Sequence, residues 1–325
     1  MPSQKTYISI GDFVDVYHKV RQKGLGFVFS KLNLSSTSRI QSKWDSFQSS
    51  SDFWIIPTIQ KRWNFMISGN ENMEYEEYVY HKYLQGKSNL KLLSVGCGEG
   101  IHERNFAKHD CFSAIEATDI SEESIIKART LVDKNNLSIN YRSGDFKQLD
   151  YDKNSFDVIL LSSRLHHFED VSTFLKNNVK PLLKENGILV INEYVGPNRL
   201  QWTNQQLKKA NELLKELPSN YKLLYDNKTI KKKVYRPGIF RMLLVDPSEA
   251  PDSANIVTAL NSNFKVLEQT NLGWNILHIL LKGIAHNFCN DEKETQDLLT
   301  NLFSEEDQFV IETKSSDAIF GVYQK

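Results

Sequence analysis

The segment Leu92-Leu93-Ser94-Val95-Gly96-Cys97-Gly98-Glu99-Gly100 runs from an apolar, strand-like stretch into a glycine-rich turn that opens a helical pattern. Glycines in such a turn let the backbone approach a ligand that a Cβ would push away. A dinucleotide fingerprint would need its third glycine at position 101, where Ile101 stands; the glycine falls at 100, which disfavours a nicotinamide dinucleotide. Downstream, Ala117-Thr118-Asp119-Ile120 ends the next strand-like run. A strand-end acid about 20 residues past the last glycine can accept both hydroxyls of an adenosine sugar. The competing reading makes Asp119 or Ser121 a cap for the helix that Glu122 and Glu123 begin. Gly144-Asp145-Phe146 follows the third strand, where a carboxylate can accept from an adenine amino group and an aromatic ring can cover a base face.

Two histidines, His166 and His167, follow a fourth strand that ends at Ser162. In open α/β sheets that strand end borders the ligand crevice. One histidine there could serve as a general base, with His166 preferred and Glu193, at the end of the fifth strand, as an alternative base or an acceptor-positioning group. The bland alternative has both histidines satisfying backbone groups or supporting a cofactor.

These residues need a scaffold, and the hydrophobic pattern supplies one. From residue 90, β-rich runs alternate with helical segments, the signature of βαβ units and a mostly parallel sheet. Strands are expected at Lys91–Val95, Ala114–Thr118, Phe156–Ser162 and Ile188–Asn192, with a weaker one at Ile139–Arg142. Helices are expected at Ile101–Lys108, Glu122–Asn135 and Val171–Leu183, the last ended by Asn186-Gly187 as a C-cap. Residues 1–88 read as a helical, aromatic-rich cap: Phe13, Tyr17 and Val20 share helical spacing, an apolar-aromatic stretch runs from Trp54 to Met66, and Tyr75, Tyr78, Tyr80 and Tyr83 pack the cap onto the core. Residues 89–196 form the ligand-binding core. Residues 197–325 hold insertions, among them a helix over Thr203–Leu217, followed by helical stretches at Trp274–Phe288 and Asp291–Phe303 and two returning strands at 264–269 and 318–323.

Composition narrows the function. Forty basic residues balance forty acidic ones, so no global field favours nucleic acid or an anionic membrane. The run Lys231-Lys232-Lys233 reads as a solvated face. Cys97, Cys111 and Cys289 lack metal-site spacing and form no even framework, so no metal is expected and a reducing, cytoplasmic setting fits. No stretch reaches the roughly 18 apolar residues of a membrane span, and the amino terminus lacks the basic-then-apolar order of a leader.

In order and combination, Leu93–Gly100, Asp119, Asp145, Phe156-Asp157-Val158-Ile159, Leu165-His166-His167-Phe168 and Pro181–Gly187 resemble the class I methyltransferases that use S-adenosylmethionine, in particular the small-molecule branch related to ubiquinone biosynthesis. Ser94 departs from that pattern, which usually has an acid at this position. The resemblance implies a Rossmann-like α/β fold, a seven-stranded mostly parallel sheet with its last strand antiparallel, with a helical cap and helical insertions. It implies S-adenosylmethionine as cofactor and S-adenosylhomocysteine as product, held by Gly96, Cys97, Gly98, Gly100, Asp119, Ile120, Asp145, Phe146 and Ser162, with Arg62 for the cofactor's carboxylate. His167, Tyr194, Tyr235 and Arg236 are expected to line the acceptor pocket. The segments 192–199 and 246–250 are similar to a bacterial subgroup associated with glycans or secondary metabolites, which suggests O-methylation of such a precursor. A protein or peptide methyltransferase, a non-catalytic nucleoside binder and, more weakly, a dehydrogenase are the alternatives, and a homodimer is left open.

Overall fold

The computed structural model describes residues 5–14, 53–135 and 138–325; Tyr17 and Val20 lie outside them. The chain divides into two compact units. One comprises residues 1–63, 196–250 and 272–318, and the other residues 64–195, 251–271 and 319–325.

The second unit is built on a seven-stranded sheet in the order β3-β2-β1-β4-β5-β7-β6. Its strands are β1 (Leu90–Val95), β2 (Phe112–Asp119), β3 (Asn140–Ser143), β4 (Phe156–Ser162), β5 (Leu183–Tyr194), β6 (Lys265–Gly273) and β7 (Ala318–Gln324). β1 pairs in parallel with β2 and β4, β2 with β3, and β4 with β5. The Lys325 N–H donates to the Gly187 carbonyl at the start of β5, and the Asp317 N–H donates to the Gly273 carbonyl at the end of β6. β7 therefore runs against both neighbours. Central strands covered on both faces must be apolar throughout; Val158 to Leu161 and Leu189 to Ile191 are fully buried. Helix α3 (Ile101–Ala107) follows β1, α4 (Glu122–Asn135) follows β2, the short α5 (Val171–Phe174) lies between β4 and β5, and α8 (Ile256–Asn263) precedes β6.

One expectation needs correction. Asn186-Gly187 is not a helix C-cap. Helical structure after Val171 passes through a π turn and a 3-10 turn and stops at Leu182, and β5 begins at Leu183. Phe156 pairs with Leu183 and Val158 with Ile188, so residues 184–187 form a bulge. A Cβ on Gly187 would lie 3.0 Å from the Phe156 carbonyl, and glycine is what that close approach requires. The tyrosines near residue 80 pack on the sheet. Tyr75 and Tyr78 lie in α2 (Tyr75–Val79) and Tyr80 and Tyr83 in the π turn after it, all within the sheet unit, where the Tyr78 and Tyr83 hydroxyls donate to Glu268 on β6 and the Tyr75 ring lies tilted 5.9 Å from that of Phe320 on β7.

In the first unit lie helical residues 10–14, α1 (Pro57–Ser68, whose last turn enters the second unit), α6 (Asn204–Glu216), α7 (Ile239–Val245), α9 (Leu277–Leu281) and α10 (Lys293–Thr313). Phe53, Trp54, Trp63 and Trp274 meet with ring centroids 4.3–6.4 Å apart. Thr203 and Gln206 close a reciprocal capping box at the start of α6. Lys231 is not simply solvated: its ammonium donates to the Leu280 and Lys282 carbonyls at 2.8 and 2.7 Å, tying off the end of α9.

Candidate cofactor and active site

Sheet order reverses between β1 and β4, and ligands of open α/β sheets bind at the carboxyl ends beside such a switch point. Gly96, Gly98 and Gly100 follow β1 with positive φ, a region strained for other residues. The Gly96 and Cys97 N–H groups donate to the Thr118 carbonyl at 2.7 and 2.9 Å, fastening the loop to the end of β2. Asp119 organises the next layer: one oxygen accepts from the Gly98 N–H at 2.8 Å and the other from the Ser121 N–H at 2.9 Å. The Ser121 hydroxyl in turn accepts from the Ser124 N–H at 3.2 Å, the contact of a helix cap. A carboxylate has about four acceptor directions, and two protein donors leave capacity for sugar hydroxyls.

The glycines do different work. A Cβ on Gly96 would strike the Arg164 side chain at 2.5 Å, while one on Gly98 would meet only an Arg164 guanidinium nitrogen, at 3.0 Å. A Cβ on Gly100 would sit 2.0 Å from the Tyr141 hydroxyl, so this glycine accommodates a buried tyrosine. Cys97 is buried, and burial, with Glu103 and Asp119 nearby, pushes its thiol well above the usual range, which suits a packing role over a nucleophile. Ile120 is half-buried beside Asp119. Asp145 is exposed and caps the 3-10 turn Phe146–Gln148 through the Lys147 N–H, whereas the Phe146 ring belongs to the core against Tyr151 and Phe174.

Ser162, at the end of β4, brings in a residue the sequence reading missed. Its hydroxyl lies 3.2 Å from His102 Nε2, and His102 Nδ1 lies 2.6 Å from the buried Glu76. Glu76 and its neighbour Glu74, which meets Asn105, precede the sheet by sequence and carry no motif that would announce them. Arg164 was also missed. Its Nε donates to the Gly96 carbonyl at 2.7 Å, and its stem packs over the glycine turn.

His166 and Glu193 form a pair, with His166 Nδ1 2.5 Å from one Glu193 oxygen and both residues buried. Glu193 also accepts the backbone N–H groups of Arg164, Leu165 and Tyr194 at 2.8, 2.5 and 2.7 Å. So fully engaged a carboxylate orients its neighbours, the His166 imidazole among them. The His167 ring lies 4.2 Å from that of His166, and Tyr194 presents its edge at 6.1 Å.

The remaining candidates lie in the first unit. Arg62 pairs with Asp307 at 2.5 Å and stacks over Phe303. Arg236 is buried and spends its donors on the Trp202 carbonyl, Thr6 and Asn204. Tyr235 is half-buried, with the Lys233 ammonium over its ring. The segments 192–199 and 246–250 do meet there through Arg199, whose side chain donates to the Pro247 and Glu249 carbonyls and whose N–H donates to the Ala250 carbonyl.

Residues 93–191 match the family described as Methyltransferase domain. The ubiquinone biosynthesis O-methyltransferase of Pelagibacter ubique (strain HTCC1062) is 36% identical over 103 residues, which is 32% of this chain and 41% of that protein. Its counterpart in Coxiella burnetii (strain Dugway 5J108-111) is 33% identical over 111 residues, or 33% of this chain and 46% of that protein. The match thus spans less than half the length of these relatives. Among solved structures, phosphoethanolamine N-methyltransferase 2 of Haemonchus contortus, in complex with S-adenosyl-L-methionine, has 16% identity and a TM-score of 0.48, covering 92% of this chain and 59% of that one. Residues 93–191, which hold the glycine turn and Asp119, are a class I, S-adenosylmethionine-dependent methyltransferase domain.

Proposed function

We propose that the protein O-methylates a small molecule, a glycan precursor or secondary metabolite, with His166 as general base and Glu193 as the carboxylate that holds it. The observation that carries this reading is the buried His166–Glu193 pair at the ends of β4 and β5, one strand from the glycine turn. When bound, S-adenosylmethionine supplies a methyl group already activated by its sulfonium, so the protein's task is alignment plus removal of one acceptor proton. Glu193 holds the imidazole through Nδ1, and Nε2 is assigned to take the substrate hydroxyl proton. The Gly96–Gly98 turn admits the cofactor's backbone-facing side, Asp119 takes its sugar hydroxyls, and Ile120, Asp145 and Ser162 line its path. Because Arg62 is paired with Asp307, Arg164, already lying over Gly96 and Gly98, is assigned to the cofactor's carboxylate in its place. His167 and Tyr194 flank the acceptor. The cysteines, with Cys97 and Cys111 buried and free, accord with a cytoplasmic setting.

The test is turnover of a panel of hydroxylated acceptors by wild type, His166→Ala and Glu193→Gln. Loss of a positioned base costs about 10²–10⁴-fold. The expected result is a fall of that order in kcat for His166→Ala with S-adenosylmethionine affinity retained, and a smaller fall for Glu193→Gln. Unchanged kcat in both variants removes the pair from the reaction.

A further inference from the structure

The superfamily pattern places an acid where this chain has Ser94, yet the end of β1 does not lack a carboxylate. Ser94 is buried, and its hydroxyl hydrogen-bonds one oxygen of Glu103, which reaches it from the first turn of α3. Glu103 is fully buried, and its other oxygen has no hydrogen-bond partner. Buried carboxylate oxygens are rarely left so, because water would otherwise have satisfied them. The surroundings do not neutralise it completely. His102 lies close enough to carry positive charge toward it, and His102 is already engaged by a second buried acid, Glu76. Cys97 of the glycine turn and Tyr141 beneath Gly100 both feel the Glu103 charge.

We propose that Glu103 is a positioning residue for the cofactor: it restores from α3 the carboxylate that Ser94 lacks, and its field behind the glycine turn favours the cationic S-adenosylmethionine over the product, which has no sulfonium. The exchange is sterically coherent. A serine at 94 leaves the room that a longer side chain from position 103 fills, and the hydroxyl fixes that carboxylate's orientation. Burial raises the Glu103 carboxyl above its usual range, helped by Glu76 and opposed by His102 and Ser94. An arriving cation therefore stabilises the ionised form, and charge interactions across a low-dielectric interior extend beyond direct contact. This inference rests on the cofactor assignment and concerns how the chain discriminates between the two nucleosides.

Calorimetric titration of S-adenosylmethionine and of S-adenosylhomocysteine into wild type, Glu103→Gln and Ser94→Asp/Glu103→Ala tests it, with thermal melting to show that each is folded. Removing one buried charge should cut the preference for the cationic ligand about tenfold. Glu103→Gln is expected to weaken S-adenosylmethionine by that factor while changing S-adenosylhomocysteine by less than about threefold. The double variant, with the acid moved to position 94, is expected to recover the wild-type ratio. Equal loss for both nucleosides, an unchanged ratio in Glu103→Gln, or a folded double variant without recovery overturns the proposal. So does a double variant that cannot fold, since Glu103 would then be serving the core. Wild-type protein that binds neither nucleoside would instead overturn the cofactor assignment, and this inference with it.

Discussion

Asp119 accepts one N–H on each oxygen, from the glycine turn and from the start of α4, and so ties two elements together before any ligand arrives. Changing it to asparagine would set an NH₂ against one of these two donors and remove the charge that strengthens a bond to a sugar hydroxyl. Hydrogen bonds to charged groups contribute about 1.5–3 kcal/mol. Asp119→Asn is therefore expected to weaken S-adenosylmethionine roughly 10- to 100-fold by calorimetry, and unchanged affinity would leave Asp119 as a cap alone. The same scale shows what a motif conceals. Gly100 belongs to the glycine-rich pattern, but the group it makes room for is Tyr141 on β3, two strands away. Glu193 was legible as an acid at a strand end, yet its four donors, including His166, could be known only once β4 and β5 lay side by side.

Elements were read most accurately where they pack on a regular lattice. β4 was expected at Phe156–Ser162 and α4 at Glu122–Asn135, and both have those bounds, because an apolar run between turn residues and an amphipathic run behind acidic residues each leave one conformation. The segment after Val171 misled because a helical period and an Asn-Gly pair look like a helix and its cap, while pairing with β4 recruits Leu183 into a strand and pushes the excess into a bulge. α6 offers a test of a local signal that held. Thr203 and Gln206 satisfy one another's backbone N–H, and losing such a cap costs about 1 kcal/mol. Thr203→Ala is expected to lower the urea midpoint of the first unit accordingly while leaving S-adenosylmethionine affinity at the wild-type value. A change in affinity would mean that α6 contributes to the cofactor site.

At the scale of the whole molecule, two buried groups of the first unit titrate in opposite senses. Burial pushes the Asp317 carboxyl up to about 7, opposed by its Gln206 hydrogen bond and reinforced by Glu306. Burial, with Lys282 adding to it, takes the His278 imidazole down to about 3. Above its ordinary value of 3.8 and below about 7, native Asp317 keeps a proton the unfolded chain has released, so its contribution to stability falls as pH rises. Between about 3 and 6.5 the unfolded chain holds a proton on His278 that the native chain has lost, so that contribution falls as pH drops. The slopes oppose one another from about pH 4 to 6.5. Asp317→Asn should expose a melting temperature that rises with pH through this window, and His278→Phe one that falls, each by several degrees. Variants whose profiles run parallel to wild type would refute this balance.

No helix among the described residues is long and apolar enough to cross a membrane. The sequence by itself determined the βαβ core, the glycine turn and the acids at successive strand ends, because these depend on local periodicity and on spacing along one chain. Tertiary structure alone decided which of the marked residues meet. It gave Arg62 to Asp307 and Arg236 to Trp202, Thr6 and Asn204, and it brought Glu193 to His166 and Glu103 to Ser94. Such pairings are fixed by strand order and by where a buried charge can find a donor, and neither is written in the neighbourhood of a single residue.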